Sequence, residues 1–386
     1  MYPKQFLYVR NLARAYHRTK PPSLLFKLDI EKAFDSVSWE YLLELLERRG
    51  FPARWRNWIA LILSSSSSSV ILNAAPGSFF HHERGLRQGD PLSPYLFILA
   101  IDTLHRLFEL ATPEAELSEL RGRHAKIRLS LYANDAALFL NPHKEEVDLV
   151  LQIMKKFGDA IGLKKNIQKS SVAAIRCADL NLENILSSFT GQQVTFPLTY
   201  LGLPLTLGCL KLVHLQPTLD RVKAKLAGWQ GKLLSAGGRR ELVRSVLSSM
   251  PIYLLTALKV PKKFISELDK SQGRFLWAGN QDFHGGKCKV NWSTTCLPLE
   301  RGGLGIKDLE RFGRALCLRW LWFEWTSPEK PWAGADLPVD DTDRALFAAA
   351  TRVQVQNGRK ALFWKSSWLD GIPLVTCFHS YLGTAK

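Results

Sequence analysis

The chain lacks any regular cysteine spacing. Its six cysteines, at positions 177, 209, 288, 296, 317 and 377, lie far apart and include no Cys-x-x-Cys pair, which argues against a disulfide framework and the common zinc spacings. His284, Cys288 and Cys296 fall close together in HGGKCKVNWSTTC but do not complete a four-ligand pattern. Long apolar runs are missing too. The stretch Tyr95 to Ile101 ends at Asp102 and is far too short to cross a bilayer. The N-terminal MYPKQFLYVRNLARAYHR scatters arginines where a secretory signal would need an apolar core, so cytosol or nucleus is the expected compartment and no membrane partner is implied. Acidic residues are in deficit, with 35 Asp and Glu against 52 Lys and Arg, a net charge of +17. That excess favours a polyanionic partner, nucleic acid before membrane. No internal repeat and no protein partner is evident.

What is present suits a globular protein of two to three domains, with 386 residues of which 46% are hydrophobic. LLFKLDI, Leu24 to Ile30, has the pattern of a buried strand. A helix follows with Leu42, Leu45 and Leu46 on one face, Ser38 as its cap and Gly50 at its end. A second helix is predicted over Ala53 to Leu63. The six serines that follow, Ser64 to Ser69, have apolar residues on both sides and are expected in an ordered element. RGLRQGDPLSPYLFILAIDTLHRLFEL reads as a Gly-rich loop and a long helix whose first turn is set by Asp90-Pro91 or Ser93-Pro94.

LSLYANDAALFL, Leu129 to Leu140, reads as two apolar strands joined through Tyr132, Ala133, Asn134 and Asp135. Asn and Asp tolerate the left-handed backbone of a two-residue turn, so this pair alone need only be a turn. A helix near Lys144 to Ile161, the segment GLKKNIQKSS and a strand ending near Arg176 come next. The irregular alternation predicts an α+β sheet with helices on one face. After TYLGLPL the pattern becomes helical, and from Lys211 to Arg274 thirteen Lys and Arg stand against four Asp and Glu. Such an excess is expected of a surface that tracks phosphates.

Asp29 ends one apolar strand and Asp135 sits in the turn between two others. A sheet aligning them would bring two carboxylates to one edge, an arrangement that holds divalent metal and serves phosphoryl and nucleotidyl transfer. An Asp at a strand end is also a common helix cap. The ordered set KLDIEKAFDSV, RGLRQGDPLSPYLF, LYANDAALFL, GLKKNIQKSS and LTYLGLPL resembles the reverse transcriptases of plant LINE-type (non-LTR) retrotransposons. RGGLGIKDL and NGRKALFWKSSWLDG resemble segments that follow the polymerase region in that family.

The resemblance implies a polymerase right-hand palm with partial fingers over 1–205, a basic helical thumb over 206–276 and a Trp/Gly-rich region over 277–386. It implies an RNA template, a DNA primer, deoxynucleoside triphosphates and a two-metal Mg²⁺ site. Asp29 and Asp135 would be metal ligands, joined by the backbone oxygen of Ile30. Phe34 would be the steric gate against a 2′-hydroxyl, or else plain core packing. Arg87, Gln88 and Gly89 would contact nucleotide and template, or else form a tight entry into the helix. Lys169 would protonate pyrophosphate, or is simply an exposed lysine. Tyr200, Leu201 and Gly202 would form the primer grip, and Arg239, Arg240 and Arg244 would contact the nucleic-acid backbone.

The chain departs from the family's pattern at Asn134, where the family has the stronger metal-binding Asp. Losing a unit charge about 4 Å from its partner at an effective dielectric near 20 forfeits about 4 kcal/mol, roughly a thousandfold in rate. Ala74 follows Asn73 where the family has Gly, Lys165 occupies an apolar position, and the chain is expected to be a truncated copy. These departures imply an impaired RNA-directed DNA polymerase. The alternatives are an inactive remnant that still binds nucleic acid, and one that does not fold stably.

Overall fold

The computed structural model describes residues 2–31, 33–111, 117–120, 128–132, 135–162, 164–228, 231–279, 290–328, 330, 336–355, 358, 361–364, 366–369 and 374–377. Two compact units result, residues 1–208 and 209–386.

The first unit runs α1 (Tyr2–Thr19), β1 (Ser23–Glu31), α2 (Ala33–Ser36), α3 (Trp39–Arg48), α4 (Ala53–Ser64), β2 (Ser67–Ser68), β3 (Ile71–Leu72), β4 (Ala75–Pro76) and β5 (Phe80–His81). It continues with α5 (Ser93–Ala111), β6 (Leu129–Tyr132), β7 (Asp135–Leu140), α6 (Lys144–Ile161), β8 (Lys164–Ile175), α7 (Leu182–Ile185), β9 (Gln192–Val194), β10 (Leu198–Tyr200) and β11 (Leu203–Leu205). Five strands form one sheet in the order β6-β7-β1-β8-β9, antiparallel except for the last pair. The fold is α+β.

Side chains alternate across a strand, so β1 has two different faces. Leu24, Phe26, Leu28 and Ile30 are buried among α3, α5 and α6, in a core that includes Leu42, Leu46, Phe97, Leu104, Val150 and Phe157. The Ser38 side chain caps α3 by accepting from the Tyr41 amide, and Gly50 follows its end at φ +80. The helix at α5 starts at Ser93, with Pro94 in its first turn and the Asp90 carboxylate accepting from the Leu92 amide at 2.7 Å. Below the sheet end, the buried Arg128 and Glu146 pair at 3.3 Å, and Glu146 also accepts from the Asn141 amide group at 3.0 Å.

The other face of β1 corrects the expectation of helices on one side only. Helix α1 packs there against β6 and β8, with the Tyr16 and Phe139 rings 5.7 Å apart. Phe6, Val9, Ala13 and Tyr16 recur at helical spacing and are buried. Leu25, Phe139, Ala173 and Ile175 are buried on this face. Strand β8 also starts earlier than predicted. GLKKNIQKSS is strand from Lys164 onward, and its register against β1 shifts between Lys27 and Asp29.

The second unit is helical: α8 (Gln216–Ala227), α9 (Ala236–Leu242), α10 (Ile252–Ala257), α11 (Lys262–Ala278), α12 (Trp292–Thr295), α13 (Leu309–Thr326), α14 (Asp341–Ala350) and α15 (Leu374–Cys377). Leu219, Val222 and Leu226 are buried on α8, and Phe264, Leu268 and Phe275 on α11. The Trp-rich stretch forms ordered helix, with Trp320 buried and its Nε1 donating to the Thr256 carbonyl at 2.7 Å. Among the described residues, no helix is long and apolar enough to cross a membrane.

Two backbone positions carry opposite consequences. Asn73 and Ala74, at φ 50 and 65, make the two-residue turn between β3 and β4, a left-handed conformation that costs alanine about 1–2 kcal/mol. Gly85 has φ +88, and a Cβ there would lie 2.6 Å from the Asp35 carbonyl oxygen. Ala74→Gly is therefore expected to stabilise the chain by about 0.5–1 kcal/mol after the entropy of the added glycine. Gly85→Ala should destabilise it by about 2–3 kcal/mol. Urea unfolding midpoints measure both.

Candidate active site

The register of β1 and β7 sets Asp29 directly opposite Asp135, Lys27 opposite Ala137 and Leu25 opposite Phe139. Directly opposed residues of an antiparallel pair have Cα atoms about 4.5–5.5 Å apart. The face they share is divided: its Leu25 and Phe139 end is buried, and its Lys27, Asp29 and Asp135 end is half-buried. Asp135 is the first residue of β7 and pairs with Tyr132, a strand position where the sequence suggested the turn itself. Ala133 and Asn134 lie outside the described residues.

Burial raises the Asp135 carboxyl above the usual carboxylate range, Lys27 opposes that shift and Asp29 adds to it. A cation beside the partly desolvated Asp135 carboxylate would relieve that cost. The Asp29 amide donates to Ser170 Oγ at 3.4 Å. Ser170 and the exposed Lys169 belong to the stretch of β8 where the register shifts. Ile30 turns its buried side chain to the opposite face, with Leu28.

Phe34, on α2, stacks on Phe97 with centroids 4.5 Å apart and planes at 19°. It is partly buried against the core. The loop leading to α5 crosses over this segment. Its Leu86 amide donates to the Phe34 carbonyl at 2.7 Å, and its Gly85 amide to the Val37 carbonyl at 2.8 Å. Gln88 Nε2 donates to Asp35 Oδ1 at 3.0 Å, and the Arg87 guanidinium reaches Ser65 Oγ at 3.4 Å. Gly89 adopts φ +91. Asp35, Ser65 to Ser68, His82, Arg84, Arg87 and Gln88 line an open cavity of about 600 Å³, with Ser68 Oγ and His82 Nε2 2.8 Å apart. The serine run thus contributes a hydroxyl wall.

Tyr200, Leu201 and Gly202 form the end of the β10–β11 hairpin. Tyr200 pairs with Leu203, leaving Leu201 and Gly202 as a two-residue turn at φ 47 and 74, the paired positive angles of a tight hairpin. Tyr200 is buried.

Of the three arginines expected to meet nucleic acid, Arg239 and Arg240 have internal work. Arg239 donates to the carbonyls of Leu276, Gly231 and Leu234 at 2.9, 3.3 and 3.2 Å. Arg240 donates to the Leu304 carbonyl at 2.8 Å. Arg244 is exposed and pairs with Glu241 at 3.6 Å.

Sequence reasoning passed over Asp35 and Lys27. Lys27 was legible from its spacing, two residues before Asp29 and hence on the same face. The link from Asp35 to Gln88 spans 53 positions and has no local signal. Among the described residues, no group of three or more His, Cys, Asp or Glu gathers as a metal site. His284 and Cys288 lie outside them, and burial pushes the Cys296 thiol up to about 12.

Comparison with known proteins gives the lineage. The family model described as reverse transcriptase (RNA-dependent DNA polymerase) matches residues 2–205. An uncharacterized 149 kDa protein of transposon TX1 from Xenopus laevis is 27% identical over 311 residues, 77% of this chain and 22% of that protein. A retrovirus-related Pol polyprotein from the type-1 retrotransposable element R2 of Popillia japonica is 30% identical over 306 residues, 74% of this chain and 39% of that protein. The chain spans less than half the length of either relative. Among solved structures, telomerase from Candida albicans in complex with a fragment of telomeric RNA aligns at 15% identity with a TM-score of 0.37, covering 86% of this chain and 55% of that one. The family match covers more than half of the sequence, and on that ground the chain belongs to the reverse transcriptase (RNA-dependent DNA polymerase) family.

Proposed function

We propose that the chain is the polymerase portion of a non-LTR retrotransposon protein, of the LINE-type lineage its motifs resemble in plants, and that it copies RNA into DNA with reduced efficiency. The observation that carries this reading is the opposition of Asp29 and Asp135 at the open end of the sheet. Oxygen donors, half-burial and mutual repulsion suit a hard divalent cation. Asp29 and Asp135, with the backbone oxygen of Ile30, would hold Mg²⁺. Two such ions, when bound, supply activation of the primer's 3′-hydroxyl and stabilisation of the leaving pyrophosphate.

The remaining residues act on the substrates. Phe34, fixed by its stack on Phe97, is a rigid wall for the sugar and so a barrier to a 2′-hydroxyl. Arg87 and Gln88 present donors to nucleotide and template, with Gly89 allowing close backbone approach. Lys169 would give a proton to pyrophosphate. Tyr200, Leu201 and Gly202 hold the primer end. Residues 1–205 would then be palm with partial fingers, 206–276 the thumb and 277–386 a region that follows the polymerase. Because Arg239 and Arg240 are engaged internally, phosphate contacts in the thumb fall to exposed groups such as Arg244, Lys225, Lys262 and Lys263. RNA template, DNA primer and deoxynucleoside triphosphates are the partners, in nucleus or cytoplasm.

Asn134 brings an amide where a carboxylate is needed. Primer extension on an RNA template with Mg²⁺, comparing the parent with Asn134→Asp, tests the proposal. The restored charge should speed extension about a thousandfold and leave RNA affinity unchanged. Equal extension by both would make Asn134 a competent ligand. Extension by neither, with salt-dependent RNA binding retained, would favour the inactive nucleic-acid-binding remnant.

A further inference from the structure

Among the described residues, the β10–β11 hairpin is a separate two-stranded sheet, with no backbone ladder to the five-stranded sheet that carries Asp29 and Asp135. Residues 195–197 connect it to β9, and its buried Tyr200, Leu203 and Leu205 pack it in place. Two cations reach it. Lys27 Nζ donates to the Thr199 carbonyl on β10 at 3.2 Å. Arg14 of α1 donates through Nε to the Thr206 carbonyl, just past β11, at 3.1 Å, and through Nη2 to the Gly208 carbonyl at 2.6 Å. The Lys27 bond is the one that starts beside the acidic pair. Lys27 stands two residues from Asp29 on the same face of β1, and it lies within electrostatic reach of Asp135.

We propose that Lys27 is a positioning residue: its ammonium ties Thr199, and with it the turn at Leu201 and Gly202, to the strand that presents Asp29. An ammonium has three donors and no acceptor, and its bond to a carbonyl is charge-assisted and directional. Arg14 anchors the far end of the hairpin, so loss of Lys27 loosens the turn without freeing the hairpin altogether. The meaning of this tether for primer placement rests on the polymerase reading, whereas the tether itself does not.

Hydrogen exchange by mass spectrometry on the full chain tests the tether directly. Lys27→Met keeps the length of the side chain and removes the donor, and Lys27→Arg keeps a donor. Amides of residues 198–205 should exchange about tenfold faster in Lys27→Met, the scale of one lost charge-assisted hydrogen bond. Amides of β7 and α6 should keep the parent's rates, and Lys27→Arg should stay within about threefold of the parent on the same scale. Unchanged exchange at 198–205 in Lys27→Met would overturn the proposal. So would faster exchange spread evenly over the whole unit, since Lys27 would then support the sheet and not the hairpin.

Primer extension at saturating duplex supplies the functional arm. Lys27→Met should lower kcat about tenfold at unchanged duplex affinity, with recovery in Lys27→Arg. An unchanged kcat would overturn the positioning role. Absence of extension by the parent and by Asn134→Asp would instead count against the polymerase reading, and the exchange arm would still decide the tether.

Discussion

The register between β1 and β7 is the constraint on which the candidate site depends. Because side chains alternate, a slip of one residue would turn Leu24, Phe26, Leu28 and Ile30 out of the core and carry Asp29 into it. Burying each of those four apolar side chains contributes about 1.5–3 kcal/mol. Two unit charges about 5 Å apart, the spacing of directly paired Cα atoms, repel by about 3 kcal/mol at an effective dielectric near 20. The core therefore outweighs the repulsion several-fold. Asp29 and Asp135 face each other because the opposite side of the same strands has no alternative packing.

Helix α1 completes the arrangement from the other side. It covers the end of the face where Leu25 and Phe139 are buried and leaves the end with Lys27, Asp29 and Asp135 half-open. One face of one sheet thus serves as core at one end and as a polar cleft at the other. Elsewhere in this unit the chain uses close approaches that few residues permit. Gly85 packs against the backbone of Asp35, which fixes the loop bearing Arg87 and Gln88 over α2. Leu201 and Gly202 turn tightly beside the strand that Lys27 reaches.

Much of this was legible in the sequence, for reasons that differ between elements. The helix at Lys144–Ile161 carries clear amphipathic spacing, acids in its first turn and a left-handed Gly162 at its end, and the Ser38 cap follows from local chemistry. The pairing of Asp29 with Asp135 was anticipated only as a shared sheet edge, since register depends on packing between segments about a hundred residues apart. Helix α1 escaped notice because its arginines dilute the apolar stripe. The early start of β8 escaped because lysines are poor strand markers. Charge counting pointed to the basic helices but could not tell Arg239, which bonds three backbone carbonyls, from a residue free to meet phosphate. That distinction exists only in three dimensions.

The opposed carboxylates of Asp29 and Asp135 are proposed to form a divalent cation site. Binding of Mn²⁺ as a probe, followed by loss of its free-ion electron paramagnetic resonance signal, tests that claim without requiring catalysis. The parent should bind Mn²⁺ at a site whose affinity falls at least about tenfold in the Asp29→Asn, Asp135→Asn double variant, each lost charge contributing on the order of 1 kcal/mol or more. Circular dichroism would verify that the double variant keeps its fold. Equal Mn²⁺ affinity in the folded double variant and the parent would contradict the account.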